Sequence, residues 1–315
     1  MDGVSLHPVR VPLRHRFRGV TFRDAVLLRG PAGWGEFSPF PDYRAEAAAR
    51  WLAAAREAAE EGWPEPRRER IPVNVAIPAV APETAYRLAV ESGCRTAKVK
   101  VAEPGQSLAD DLDRVAAVRE ALGPEGRVRV DANGAWDVET AVDALGRLDA
   151  HHLEYAEQPV ATLEEMADLR RRVGVALAAD ESIRTADDPL GVAGLEAVDV
   201  LVLKVHPMGG VRRCLEVAQA AGLPVVVSSA VETSVGLAAG LALAATLPEL
   251  PFACGLGTGL LLAGDVVADP LLPELGEVPV RRPEPAAELI ERWAPPTADG
   301  EAMLDRLAVV MAMSE

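Results

Sequence analysis

Lys100, Asp131, Glu157, Asp180, Lys204 and Ser228 each close a short apolar run in this 315-residue chain. Successive members stand 31, 26, 23, 24 and 24 positions apart, the length of one strand-plus-helix unit. If matching strand ends converge on one mouth, the order around it is Lys, Asp, Glu, Asp, Lys. Three carboxylates so close would repel one another and raise their own pKa values unless a cation joined them. Carboxylate oxygens are hard ligands that suit octahedral Mg²⁺, with positions left for water and substrate oxygens; Mn²⁺ accepts the same ligands and is a substitute. An ammonium is no base, so at least one of the flanking lysines must be neutral, which a nearby cation favours. The parts point to one reaction class. A metal binds a substrate carboxylate, a lysine takes the proton from the adjacent carbon, and the metal and the opposite lysine stabilise the enediolate.

Neighbouring residues extend the set. Lys98 lies two positions before Lys100 on the same face of its strand and is placed to depress the pKa of Lys100. Arg129, Asp131 and Asn133 share a face in the same way, and Glu181 follows Asp180. Ser228, Ser229 and Gly255 stand at the later strand ends as candidate substrate contacts. Each residue alone has an ordinary reading. Lys-x-Lys is commonly two solvated lysines, Asp131 before Ala-Asn-Gly suits a turn or cap, and Asp180 suits a helix N-cap. Lys204 within VLVLKVHP is harder to dismiss, because a lysine in a buried strand is costly. Gly255-Leu-Gly257-Thr-Gly259 reads as a tight turn at the mouth or as a phosphate cradle, although the spacing is not that of a dinucleotide fingerprint. His151 and His152 begin a strand and read as structural. His206 lies two residues past Lys204, where it could face the pocket.

The elements that must hold these residues are visible after Ile71. Apolar runs at 73–77, 96–101, 127–132, 153–158, 176–181, 200–205, 224–229 and 251–257 alternate with amphipathic stretches such as SLADDLDRVAAVREAL and DVETAVDALGRL. Continuous apolar strands alternating with helices mean a parallel sheet with both faces covered. Eight such units in about 200 residues imply a closed α/β barrel, with its chemistry at the C-terminal strand ends. Residues 1–42 read as strands separated by Gly and Pro turns, and 43–62 as an Ala/Glu/Arg-rich helix ended by Gly62. WPEPRRERIP reads as a linker. The helical stretch GEAMLDRLAVVMAM is expected to fold back onto the N-terminal unit. The expected division is a capping unit of residues 1–70 completed by about 280–315, and a barrel of 71–279.

Composition narrows the partners. With 32 Lys+Arg against 48 Asp+Glu the net charge is −16, which argues against nucleic acid and anionic membranes. Mean hydropathy is +0.09 and the pI is near 4.8. Cys94, Cys214 and Cys254 are far apart and form no Cys-x-x-Cys pair, so a reducing, cytoplasmic setting is expected. The N-terminus lacks a signal-like apolar core, and the run from Val225 to Leu247 reads as a buried strand and helix, not a membrane span. The expected partner is a small carboxylate; oligomeric state is left open.

AKVKV (97–101), RVDAN (129–133), YAEQP (155–159), AADES (178–182), VLKVHPMGG (202–210) and SSAVETSVGL (228–237) together resemble the enolase superfamily, in particular its muconate-lactonizing subgroup. The resemblance covers nearly the whole chain. It implies a (β/α)7β TIM-like barrel with an α+β capping domain built from N- and C-terminal segments. It also implies Mg²⁺ on Asp131, Glu157 and Asp180, with Lys100 and Lys204 as the acid/base pair. Within the subgroup the chain is most similar to the o-succinylbenzoate synthase family of menaquinone biosynthesis, a hydro-lyase family, on its short length, Arg129 before Asp131, and the stretches RFRGVTFRD and GWGEFSPFPDY. That resemblance implies a dehydration that creates an aromatic ring, with Lys100 moving the proton and Lys204 acting as a cation. N-succinylamino acid racemases and muconate cycloisomerases share the same five residues. Dipeptide epimerases carry an Asp-x-Asp where this chain has GLGTG. Phe17 to Arg23 and Phe37 to Phe40 are the expected sources of cap contacts to substrate.

Overall fold

The computed structural model describes residues 5–184 and 196–314. Residues 1–4, 185–195 and 315, parts of the expected cap and barrel spans, lie outside that description.

The N-terminal unit is an antiparallel meander of β1 (Ser5–Phe17), β2 (Val20–Gly30) and β3 (Gly33–Phe37), followed by α1 (Ala45–Arg56). The β1–β2 hairpin turns on Arg18 and Gly19, both at positive φ, 48° and 78°, as a two-residue hairpin loop requires. α1 lies close on β3, because Gly35 has no side chain: a Cβ there would sit 2.0 Å from the Ala55 carbonyl oxygen. A π-helical turn, Glu57–Glu61, carries α1 on to Gly62, where a plain helix end is expected. The Glu57 carboxylate reaches across to the barrel and accepts the backbone N–H groups of Val211 and Arg212.

The segment read as a linker is pinned in place. β4 (Arg70–Pro72) pairs with a short C-terminal strand at Glu277–Pro279, and Arg68 donates to the Leu247 and Pro248 carbonyls. The barrel strands follow: β5 (Val75–Ile77), β6 (Thr96–Lys100), β7 (Arg127–Asp131), β8 (Leu153–Glu157), β9 (Leu177–Ala179), β10 (Val200–Lys204) and β11 (Val225–Ser228), all parallel and in sequence order. The pairing of Glu277–Pro279 makes it β12. The expected eighth strand at 251–257 is reduced to isolated parallel bridges, Cys254 with Val73 and Gly255 with Ser228. These two contacts join the first strand to the seventh and close the ring. The glycines there serve close approach, since a Cβ on Gly257 would lie 2.4 Å from the Asn74 carbonyl oxygen.

Between the strands run α2 (Pro82–Glu91), α3 (Leu108–Leu122), α4 (Val138–Leu148), α5 (Leu163–Arg170), α6 (Glu181–Arg184), α7 (Val205–Met208), α8 (Val211–Ala221) and α9 (Ser234–Thr246). Their starts are written in the chain. Ser107 with Asp110 and Thr162 with Glu165 form capping boxes, and Asp137 and Thr233 cap α4 and α9. α9 is buried on every side, as its Gly/Ala/Leu sequence allows. Outward strand residues such as Ala97, Val99, Val128 and Val130 pack on the helices in one large core. Inward positions alternate with them and hold Lys98, Lys100, Arg129 and Asp131, with a small apolar cluster of Tyr155, Ala178, Val202 and Val226.

The chain ends with α10 (Ala287–Arg292) and α11 (Thr297–Met313). The last helix folds back as expected. Leu307 and Val310 join Trp51, Leu52, Val26 and Leu28 in one core cluster, and Arg306 donates to the carbonyls of Pro39, Phe40 and Tyr43. Full burial of side chains such as Leu52 or Leu307 is worth roughly 1.5–3 kcal/mol each, so the two ends of the chain form one unit. Among the described residues no helix is long and apolar enough to cross a membrane. Cys94, Cys214 and Cys254 are free and buried.

Candidate active site

The parallel register sets the site. Lys100 pairs with Asp131 and Asp131 with Glu157, so three strand ends stand at one level; Lys204 pairs with Ser228 further round. Asp180 follows the end of β9 directly. Two-residue periodicity along a strand turns Lys98 and Lys100 inward together.

The six charges form a tightly paired ring. Lys98 Nζ donates to both Glu157 oxygens at 2.7 and 2.8 Å and lies 3.5 Å from Asp131 Oδ2. Lys100 Nζ donates to Asp131 Oδ2 at 2.5 Å and to Asn133 Oδ1 at 2.6 Å. Lys204 Nζ donates to Asp180 Oδ2 at 2.5 Å. Asn133 in turn donates to Glu181 Oε1 at 3.1 Å, and Arg18 of the cap hairpin stands 3.8 Å from the same oxygen. All six charged groups are buried, Glu157 and Asp180 completely. Groups so desolvated persist as charges only when paired.

Burial raises the Glu157 carboxyl to about 7, assisted by the Asp131 and Asp180 carboxylates and opposed by Lys98. Burial also acts on Asp131, but Lys100, Lys98 and Lys204 outweigh it and hold that carboxyl well below the usual range. Lys98 is the reverse case. Its desolvation is overcome by Glu157 and Asp131, which keep its ammonium well above the ordinary lysine value. For Lys100 burial wins over Asp131, and the charge of Lys98 adds to it, so its amine is pushed below the ordinary value. Lys98 thus acts on Lys100 in the expected direction.

The three carboxylates are drawn apart onto their lysines. Among the described residues no group of three or more His, Cys, Asp or Glu side chains is gathered closely enough to hold a metal ion. The donor chemistry nonetheless fits a hard divalent cation: three buried carboxylates end three neighbouring strands, and the groups beside them are mobile-stemmed lysines.

Other expected residues divide. Ser228, Ser229 and Gly255 line the same cavity as Lys98, Lys100, Asp131 and Lys204, and Phe17, Arg18 and Phe40 close it from the cap. Arg129 does not reach the mouth. It lies inside the barrel, donating to Glu154, Asn74 and the Ala253 carbonyl, with its guanidinium over the Tyr155 ring. Arg23 and Phe37 are buried behind the cavity wall. His206 is turned away onto Glu232 at 3.1 Å and against Trp51. His151 and His152 supply backbone carbonyls to Arg119 at the strand's start. Two polar lining residues, Asn74 and Thr258, were not among the expected ones. Asn74 was visible as a polar residue inside the apolar run VNVAI; Thr258, whose hydroxyl lies 2.5 Å from that of Ser229, left no signal. A larger hollow between β1 and α2, lined by Arg14, His15 and Glu91, lacks any such convergence of strand-end charges.

A barrel mouth carrying Lys, Asp, Glu, Asp and Lys under a two-ended cap defines a class of enzymes. Family profiles described as "Enolase N-terminal domain-like" and "Enolase C-terminal domain-like" match residues 9–59 and 81–285, and the chain belongs to the enolase superfamily. Several of its curated relatives, at 51–61% identity, carry one activity name. It is 61% identical over 305 residues to the o-succinylbenzoate synthase of Thermobifida fusca, covering 97% of this chain and 95% of that one. Against the o-succinylbenzoate synthase of Mycobacterium leprae the identity is 53% over 304 residues, with 96% and 90% covered. Among solved structures, muconate lactonizing enzyme from Pseudomonas putida superposes with a TM-score of 0.77 at 22% identity, over 93% of this chain and 99% of that one. The N-succinyl Arg/Lys racemase from Bacillus cereus does so with a TM-score of 0.77 at 21% identity, over 92% and 97%. These structures bear on the fold alone.

Proposed function

We propose that this enzyme is an o-succinylbenzoate synthase. It would dehydrate 2-succinyl-6-hydroxy-2,4-cyclohexadiene-1-carboxylate to 2-succinylbenzoate for menaquinone biosynthesis, in the cytoplasm, with residues 1–70 and about 280–315 as the cap over a barrel of 71–279. The observation that carries this reading is the full-length identity of 61% to a relative of that name, joined to a buried amine, Lys100, held below its ordinary pKa at the mouth.

Asp131, Glu157 and Asp180 would hold Mg²⁺, or Mn²⁺ in its place. When bound there, such an ion would supply Lewis-acid stabilisation of negative charge on a substrate carboxylate. Lys100, freed from Asp131 and neutral, takes the proton from the ring carbon bearing the carboxylate. Asn133 accepts from Lys100 in this structure, and so orients its amine. The same proton is then handed to the departing hydroxyl, which leaves as water while the ring electrons close into the aromatic system. Lys204 remains an ammonium across the ring and steadies the developing negative charge. Ser228, Ser229 and Gly255 would contact the substrate beyond the reacting carbon. Aromatisation drives the elimination, so positioning and charge stabilisation are what the protein has to supply.

One observation favours a second reading. Lys100 on Asp131 and Lys204 on Asp180 are matched pairs at 2.5 Å, an arrangement suited to two alternating bases, as in an N-succinylamino acid racemase; a muconate cycloisomerase-like reaction would use the same groups. The test is a side-by-side assay in heavy water. A synthase yields one 2-succinylbenzoate per cyclohexadiene acid consumed. A racemase washes deuterium into the α-position of an N-succinylamino acid and leaves the cyclohexadiene acid untouched.

A further inference from the structure

Past the end of β11 the chain crosses the mouth as Ser229, Ala230, Val231, Glu232 and Thr233 before α9 begins. Val231 has φ of 62°, a left-handed conformation that a β-branched residue adopts only when its surroundings enforce it. Its side chain is buried among Val9, Val11, Phe17 and Leu27 of the cap. Two cap residues hold the segment. Arg23 of β2 donates Nε to the Val231 carbonyl at 3.2 Å and Nη2 to the Ser38 carbonyl at 2.5 Å, with its guanidinium 3.9 Å from the Phe40 ring centre. Glu36 of β3 accepts the backbone N–H groups of Thr233 and Gly236 and the Thr233 hydroxyl. From the barrel side, Glu232 accepts the Ala230 N–H at 2.9 Å and Ser229 Oγ accepts the Val231 N–H at 3.2 Å. Ser229, Ala230 and Val231 line the cavity that holds Lys100 and Lys204. The shape of this wall is therefore held jointly by the cap and by the Ser229 and Glu232 side chains, and is not the resting preference of Val231.

We propose that Arg23 is a positioning residue for substrate selection: by holding the Val231 carbonyl it keeps 229–231 in the strained conformation that completes the cavity wall. It touches no reacting atom. Its loss loosens the wall, weakening substrate binding while the lysines stay where they are. The inference rests on the enzymatic reading above. It is read with whichever of the two acids the wild-type enzyme consumes, so that turnover of the wrong acid condemns the reading and leaves this test intact.

A double-mutant cycle decides it, because coupled residues depart from additivity and independent ones do not. Glycine adopts a positive φ freely, so a loop with Val231→Gly no longer needs the clamp. Arg23→Met is expected to raise KM about ten-fold in the wild-type loop with kcat within about three-fold, and to raise it less than about two-fold in the Val231→Gly background. An equal KM increase in both backgrounds, or a fall in kcat at constant KM, overturns the proposal. Should Arg23→Met not fold, Arg23→Lys keeps the buried charge beside Glu36 and Glu232 but cannot serve both carbonyls, and the same cycle with the same two outcomes applies.

Discussion

Lys98 and Lys100 differ by two positions on one strand, yet their surroundings push them in opposite directions. Lys98 is clasped by both oxygens of Glu157 and stays charged, and that fixed charge helps keep the Lys100 amine low. Lys100→Ala is expected to cut turnover by about 10²–10⁴-fold, the usual worth of a general acid–base group, while circular dichroism shows an unchanged fold. Lys98→Met leaves the buried Glu157 carboxyl without its partner. It should lower unfolding free energy by roughly 3–5 kcal/mol in urea titrations with chelator present, and by less when Mg²⁺ is supplied. Glu232 gives a pH signature. Burial would raise its carboxyl, but His206 and the Ala230 N–H bring it down to about 2 from 4.5. A depressed carboxyl stabilises the fold above its unfolded pKa, and the contribution is lost as pH falls from about 4.5 to about 2, on the order of 3 kcal/mol in all. Urea melts at pH 7 and pH 3 should therefore bring wild type and Glu232→Gln closer together as the pH falls.

The elements show which parts of the architecture were legible in the chain. The parallel strands announce themselves because both faces are buried and their sequences run apolar without interruption; the five strand-end charges stand out against that background. The eighth run reads as a strand in the same way, but Phe-Ala-Cys-Gly-Leu-Gly contributes two bridges and close glycine contacts in place of a ladder. The stretch 63–72 has the composition of a linker, but Arg68 finds helix-end carbonyls and Arg70 the carboxylates of Glu274 and Glu277 far along the chain, which no local pattern encodes. The roles of Arg23, Glu36 and Glu232 were hidden for the same reason: they depend on the cap meeting the seventh-strand loop. That meeting begins with the seating of α1 on β3, where Gly35 leaves no room for a side chain against Ala55. Gly35→Ala should cost about 1–3 kcal/mol by overpacking, seen as a lower thermal midpoint.

On the scale of the whole molecule, the two chain ends form one lid and the barrel presents its charges beneath it, joined through Arg23, Glu36 and Glu57. The superfamily fold is common to enzymes with different reactions, including the lactonizing enzyme and the racemase whose structures superpose on this chain, so fold alone does not choose among them. The proposed choice rests on the relatives at 51–61% identity; the two lysines and three carboxylates ordered round one mouth are common to the alternatives. The direct measurement is the absorbance of 2-succinyl-6-hydroxy-2,4-cyclohexadiene-1-carboxylate, followed with purified enzyme in Mg²⁺, in excess chelator, and after Mg²⁺ is restored. The account predicts rapid loss of the diene with equimolar 2-succinylbenzoate in Mg²⁺, none in chelator, and recovery on adding the ion back. A diene that persists in Mg²⁺, or one that vanishes at full rate in chelator, contradicts it.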